Sequence, residues 1–111
     1  MYTIAIIAFA LAAVMGLIML KNWLTNKDAP RGVMYTHGVF AATGLVLLII
    51  GAVNDKAHAP VLSIVLFLIA ALAGFFMFFR DVFKHKRTPV VAIIHAIVAV
   101  TAFVILLFLV L

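Results

Sequence analysis

Residues 90–111 read VVAIIHAIVAVTAFVILLFLVL, twenty-two consecutive positions without a Lys, Arg, Asp or Glu. At 1.5 Å per helical residue such a run extends about 30 Å, the thickness of bilayer hydrocarbon. Residues 33–53, VMYTHGVFAATGLVLLIIGAV, have the same character, and both runs are interrupted by one histidine. Two further apolar runs extend from Tyr2 to Leu20 and from Val61 to Phe79. None of the four alternates as a barrel strand must, and lipid tolerates only helices or closed barrels, so four transmembrane helices are expected. Over the 111 residues, hydrophobic types make up 69% and charged types 10%. A soluble domain carries about 25% charged residues, so the composition excludes one, and the abundance of large apolar residues excludes disorder. With no Cys there are no disulfides, thiolate metal sites, thiol nucleophiles or covalently attached haem.

The connections Lys21 to Gly32, Asn54 to Pro60 and Arg80 to Pro89 are short, which makes an up-down-up-down four-helix bundle in a single domain, residues 1–111. Pro30 and Pro89 stand where helices two and four start, at positions whose amide would be unpaired anyway. The formal charge of +5 is concentrated in the first and third connections, with Lys21, Lys27 and Arg31 in one and Arg80, Lys84, Lys86 and Arg87 in the other. The positive-inside rule puts these two loops in the cytoplasm and both termini outside, as in a bacterial inner-membrane protein. Topology accounts for the basic loops, so no nucleic-acid partner is expected. Trp23, Tyr2 and Tyr35 read as interfacial aromatics.

Sliding the chain on itself by 58 positions superposes residues 1–53 on 59–111 without a gap. Matches include Phe9/Phe67, Ala12/Ala70, Gly16/Gly74, Met19/Met77, His37/His95, Ala41/Ala99 and Thr43/Thr101. Chance matches of Ala, Val and Leu are common in apolar sequence, but His and Gly are rare here, so their pairs carry the inference of an internal repeat. Each copy holds two spans, so the copies run in the same direction about an axis along the membrane normal.

His37 and His95 lie five and six residues into the apolar runs, about 8 Å below the cytoplasmic helix ends. Helices two and four are diagonal in a simple bundle, so the imidazoles can face one another across its axis. Ala41, Gly44 and Leu48 share the face of His37, and Ala99, Ala102 and Leu106 that of His95. On helices one and three the matching stripes are Ala5, Phe9, Ala12, Gly16 and Ser63, Phe67, Ala70, Gly74, with the glycines at histidine depth. A flat, wide body with two axial nitrogens suits this space, namely a tetrapyrrole whose edges lie against the glycines. Arg31 and Arg80, at the near aqueous surface with Lys21 and Arg87, are candidates to meet haem propionates.

Other readings stay open. The histidines can hydrogen-bond between helices, hold a metal ion or relay protons, and Ala12-x-x-x-Gly16 and Ala70-x-x-x-Gly74 are patterns of close helix packing. Thr43 and Thr101 are expected to bond their own helix carbonyls. His58 and His85 read as solvated loop residues.

The chain resembles a b-type membrane cytochrome, in particular the haem-bearing four-helix bundle of the respiratory cytochrome b family. There the second and fourth helices bring the ligands, matched by His37 and His95, and the first and third bring glycines, matched by Gly16 and Gly74. The family's second histidine, thirteen or fourteen residues on, is absent: those windows hold Ile50, Gly51 and Phe108, Leu109. The resemblance therefore implies one haem b per chain, bound by His37 and His95 and used in electron transfer more than in stand-alone catalysis. Partners expected on this reading are membrane lipid, the haem, and a redox protein or quinone, although no quinone motif is present. A haem carrier or uptake component and a cofactor-free anchor or assembly subunit are the alternatives. Oligomeric state is not legible.

Overall fold

The computed structural model describes all residues from Met1 to Leu111. Four helices make up nearly the whole chain: α1 (Tyr2–Leu24), α2 (Arg31–Asn54), α3 (Val61–Lys84) and α4 (Pro89–Val110). A single 3-10 turn at Lys56–His58 links α2 to α3. Of 92 backbone hydrogen bonds, 77 lie within these helices, so the chain satisfies its own amides as a lipid-embedded segment must. All four helices are long and apolar enough to cross a membrane. The molecule measures 44 × 22 × 22 Å, its long dimension equal to a bilayer with its headgroups. Its outer surface is covered with large apolar side chains, among them Leu17, Leu72, Phe83 and Phe108, which water would not tolerate in such density.

The bundle is up-down-up-down. α1 lies beside α2 and α4, and α3 beside α4 and, more thinly, α2, so α1 is diagonal to α3 and α2 to α4. Helix ends differ from expectation at the basic loops. α1 runs on through Lys21 to Leu24, and α3 through Arg80 and Asp81 to Lys84. Basic side chains are favourable at a helix C-terminus, and α3 is closed by a left-handed His85, with its amide donating to Asp81 O and that of Lys86 to Arg80 O. Asp81, expected in a loop, is thus a helical residue. Pro89 is the first residue of α4, as expected, whereas Pro30 caps α2 from outside. His58 is not solitary, since Nδ1 lies 3.1 Å from the Asp55 carboxylate.

Small residues mediate the contacts. Ala5, Ala8, Ala12, Ala52, Ala70, Ala92 and Ala102 are all buried, allowing helix backbones to approach. On the bundle axis Phe9 and Phe67 stack face to face, with centroids 3.9 Å apart and planes within 1°. Ala5, Leu48, Ala102 and Leu106 complete this core. Gly44 belongs to the same layer, because a Cβ there would come within 3.0 Å of the Phe9 ring. Thr43 and Thr101 donate to Val39 O and Ile97 O of their own helices.

The first and third loops are clasped by Arg87, which donates to the Asp28 carboxylate at 2.7 Å. That hydrogen bond, and then the Arg87 charge, hold the Asp28 carboxyl below the ordinary carboxylate range. A depressed carboxyl stabilises the fold above its unfolded pKa and loses that contribution as pH falls through the folded value. Backbone protection factors in residues 25–29 and 85–88 are therefore expected to fall below about pH 4, and Asp28→Asn to remove this acid sensitivity. Truncating the axial stack is the larger perturbation: Phe9→Ala is expected to cost about 3–5 kcal/mol in thermal unfolding of the detergent-solubilised protein.

Candidate functional site

Above the Phe9/Phe67 layer, toward the basic loops, the bundle axis opens into a cavity of about 630 Å³. Phe9, Phe67, Leu45 and Phe103 form its floor, and its walls at mid-height are Ala12, Gly16, Ala41, Ala70, Gly74 and Ala99. His37 and His95 enter it from the diagonal helices α2 and α4. Their ring centroids are 6.2 Å apart and their planes 69° from parallel.

Each imidazole is held by one nitrogen. His37 Nδ1 lies 2.7 Å from Ala12 O, and 58 positions on His95 Nδ1 lies 2.7 Å from Ala70 O. A carbonyl only accepts, so both Nδ1 atoms carry a proton, and in the neutral form of each ring Nε2 holds the lone pair. Neither Nε2 makes a hydrogen bond within the protein.

The glycines explain why these carbonyls can be reached. Gly16 and Gly74 are each four residues beyond the accepting alanine, in the helical turn that would otherwise cover its oxygen. A Cβ on Gly16 would lie 3.1 Å from His37 Cε1 and 3.3 Å from Nδ1, and one on Gly74 would lie 3.4 Å from His95 Cε1. The space beside Gly16 is thus taken up by the imidazole of the neighbouring helix in the same hairpin, whereas at Gly74 the approach is ordinary van der Waals contact.

Of the residues expected around a cofactor, His37, His95, Ala12, Gly16, Ala41, Ala70, Gly74 and Ala99 line one cavity. Gly44 and Ala102 lie below it, in the Phe9/Phe67 layer, where the helical rise over seven residues, about 10 Å, has carried them under the floor. Arg31 and Arg80 also lie outside it. Arg31 reaches the Asp81 carboxylate at 3.8 Å, and the Arg80 guanidinium covers the Phe76 ring at 5.5 Å.

Two residues of the cavity mouth were missed by sequence reasoning: Trp23, taken as an interfacial aromatic, and Asp81, assigned to a loop. Both line the cavity, and they occupy corresponding positions at the 58-residue offset. That correspondence was the available signal, hidden because the two residue types differ.

The donor set limits the chemistry. No third His, Cys, Asp or Glu joins the two imidazoles, so a bare divalent ion would be left with two protein ligands. A metal that brings its own equatorial donors needs only the two that are present. In nitrogen-15 NMR, His37 and His95 are each expected to show a protonated, hydrogen-bonded Nδ1. Gly16→Leu is expected to abolish that signature for His37 while leaving His95 unchanged. Compared with protein family models, curated proteins and solved structures, the chain matches none.

Proposed function

We propose that the protein is an integral-membrane b-type haem protein that binds one haem b through His37 and His95 and uses it for electron transfer. The observation that carries this reading is the 6.2 Å separation of two imidazoles whose Nε2 atoms make no hydrogen bond within the protein. His37 and His95 would hold the metal of such a group between them, each through Nε2, the nitrogen left over by the bond to its alanine carbonyl. The cavity volume lies within the range of cofactor sites, about 300–1,000 Å³.

Haem iron, when bound, supplies a one-electron couple. The chain's own residues do the rest. The carbonyls of Ala12 and Ala70 fix the tautomer and the orientation of each imidazole and raise the basicity of Nε2. Phe9, Phe67 and Phe103 close the cavity on the side away from the basic loops and keep its interior apolar. With both His37 and His95 engaged in holding it, the group would supply electron transfer more readily than oxygen or substrate chemistry. Lys21, Lys27, Arg31, Lys84, Lys86 and Arg87 support a cytoplasmic location for the first and third loops, with both termini outside the inner membrane of a bacterium. A redox protein or a quinone would then exchange electrons with the site.

A second reading, haem carriage, is favoured by the thin wall between α2 and α3. Val39 and Phe75 line the cavity while being 64% and 61% exposed on the outer surface, so one layer of side chains separates the site from lipid.

Visible spectra of purified wild type, His37→Ala and His95→Ala, oxidised and reduced, test the proposal. Wild type is expected to give a six-coordinate low-spin spectrum, and each variant to lose it. A carrier would instead release its haem readily to an excess of a haem-scavenging protein and tolerate loss of one histidine. Colourless wild type that haemin cannot reconstitute would falsify the cofactor assignment and leave the anchor reading.

A further inference from the structure

The outer face of α3 breaks the repeat. Five of the chain's ten phenylalanines fall between residues 75 and 83. Phe75, Phe79 and Phe83 follow one another at four-residue intervals up one face of the helix, all more than half exposed, with successive ring centroids 6.4 and 5.8 Å apart and the rings stacked. Phe76, Arg80 and Lys84 form a second row beside them, and the Arg80 guanidinium lies over the Phe76 ring at 5.5 Å. The corresponding positions of the first copy are Leu17, Ile18, Lys21, Asn22, Thr25 and Asn26, so α1 has neither the ladder of rings nor the pair of cations. Those two cations also have no counter-ion in the chain. Asp28 is taken by Arg87, Asp81 by Arg31 and Asp55 by His58, and there is no Glu. Nε of Arg80 is covered, whereas its two terminal nitrogens are open and donate to no protein atom. The guanidinium therefore stands about 6 Å below Lys84, at the border of the acyl region, where a charge without a partner is costly.

We propose that this face of α3 binds one anionic phospholipid, its phosphate held by Arg80 and Lys84 and an acyl chain lying along Phe79 and Phe75. The inference is independent of the haem reading, since neither cation belongs to the cavity. A guanidinium forks onto phosphate oxygens, an ammonium one helical turn above adds a second charge-assisted bond, and each basic side chain near an anionic leaflet strengthens the attraction. The exposed rings give the chain a continuous apolar surface leading away from the headgroup. A second copy of the protein does not suit the same face, because a twofold contact there would set Arg80 and Lys84 against their own counterparts.

The test is native mass spectrometry of the full-length protein released from detergent, after equilibration with phosphatidylglycerol and phosphatidylcholine of identical chains. Wild type is expected to retain one phosphatidylglycerol in preference to phosphatidylcholine. The double variant Arg80→Gln with Lys84→Gln is expected to lower that retention by about tenfold or more. Lys27→Gln with Lys86→Gln removes the same charge from the loops and is expected to stay within about twofold of wild type. Lys84 is exposed, so Lys84→Gln alone, expected to cost about threefold, keeps the test decisive if circular dichroism shows that Arg80 is needed for folding. Phe79→Ala is expected to weaken retention as well, and an excess of inorganic phosphate to displace none of the lipid. Equal retention of the two lipids by wild type, unchanged retention in the Arg80 and Lys84 variants, or an equal loss in the loop variant overturns the proposal. Displacement by inorganic phosphate, or wild-type retention in Phe79→Ala, overturns it in favour of a site for the anion alone. A wild-type dimer that Phe79→Ala dissociates overturns it in favour of a second copy on this face.

Discussion

The upper half of the bundle depends on a hydrogen bond from an imidazole to a carbonyl already engaged in its own helix. Ala12 O and Ala70 O are interior helical carbonyls, and a carbonyl oxygen has a second lone pair available. In lipid no water competes for it, and the imidazole has no other donor or acceptor within reach. The bond therefore satisfies a polar group that hydrocarbon would penalise, and it ties α2 to α1 and α4 to α3 within each hairpin. It also removes a degree of freedom from the ring. With Nδ1 fixed at 2.7 Å, the direction of Nε2 is set by backbone geometry and not by a flexible side chain.

The cavity follows from how volume is distributed along the axis. Below the histidines, Phe9 and Phe67 meet at 3.9 Å and fill the centre. Above them the axis-facing positions of α1 and α3 are Ala12, Gly16, Ala70 and Gly74, which are too small to meet across the bundle. The helices cannot simply collapse there, because Phe9/Phe67 holds α1 and α3 apart below while the Trp23 cluster fills the space above. Nor does lipid squeeze helices together as water would, since apolar side chains are equally at home against acyl chains. A void that would be costly in a soluble core persists in this bundle.

Four helices, their antiparallel order and the facing histidines were legible in the sequence, because hydrocarbon thickness and the 58-residue offset leave little freedom. The helix ends were less so. Arg80 and Asp81 look like loop residues by polarity, yet α3 continues past them to its left-handed cap at His85, and Asp81 joins the cavity wall. Gly44 and Ala102 show the limit of angular arithmetic. At seven residues from a histidine they share its face but lie about 10 Å further along the helix, deep enough to pack under the phenylalanine floor. The role of Gly16 was open to two readings, helix packing or contact with a ligand edge. It depends on a side chain from the next helix, and that cannot be seen along one chain.

A purely structural role for the histidines would account for half of each ring. An interhelical hydrogen bond needs Nδ1 alone, and the alanine carbonyl supplies its partner within the same hairpin. Such bonds do not require the two rings to meet. What the hairpin bonds leave unexplained is that both remaining nitrogens belong to rings 6.2 Å apart across the bundle, in a space with no third protein ligand. A proton relay would want a carboxylate beside the pair, and the one in the cavity wall, Asp81, is oriented toward Arg31. A planar metallocycle that supplies its own equatorial donors would use both nitrogens at once, and that is the argument for the proposed haem over a structural or proton-carrying pair.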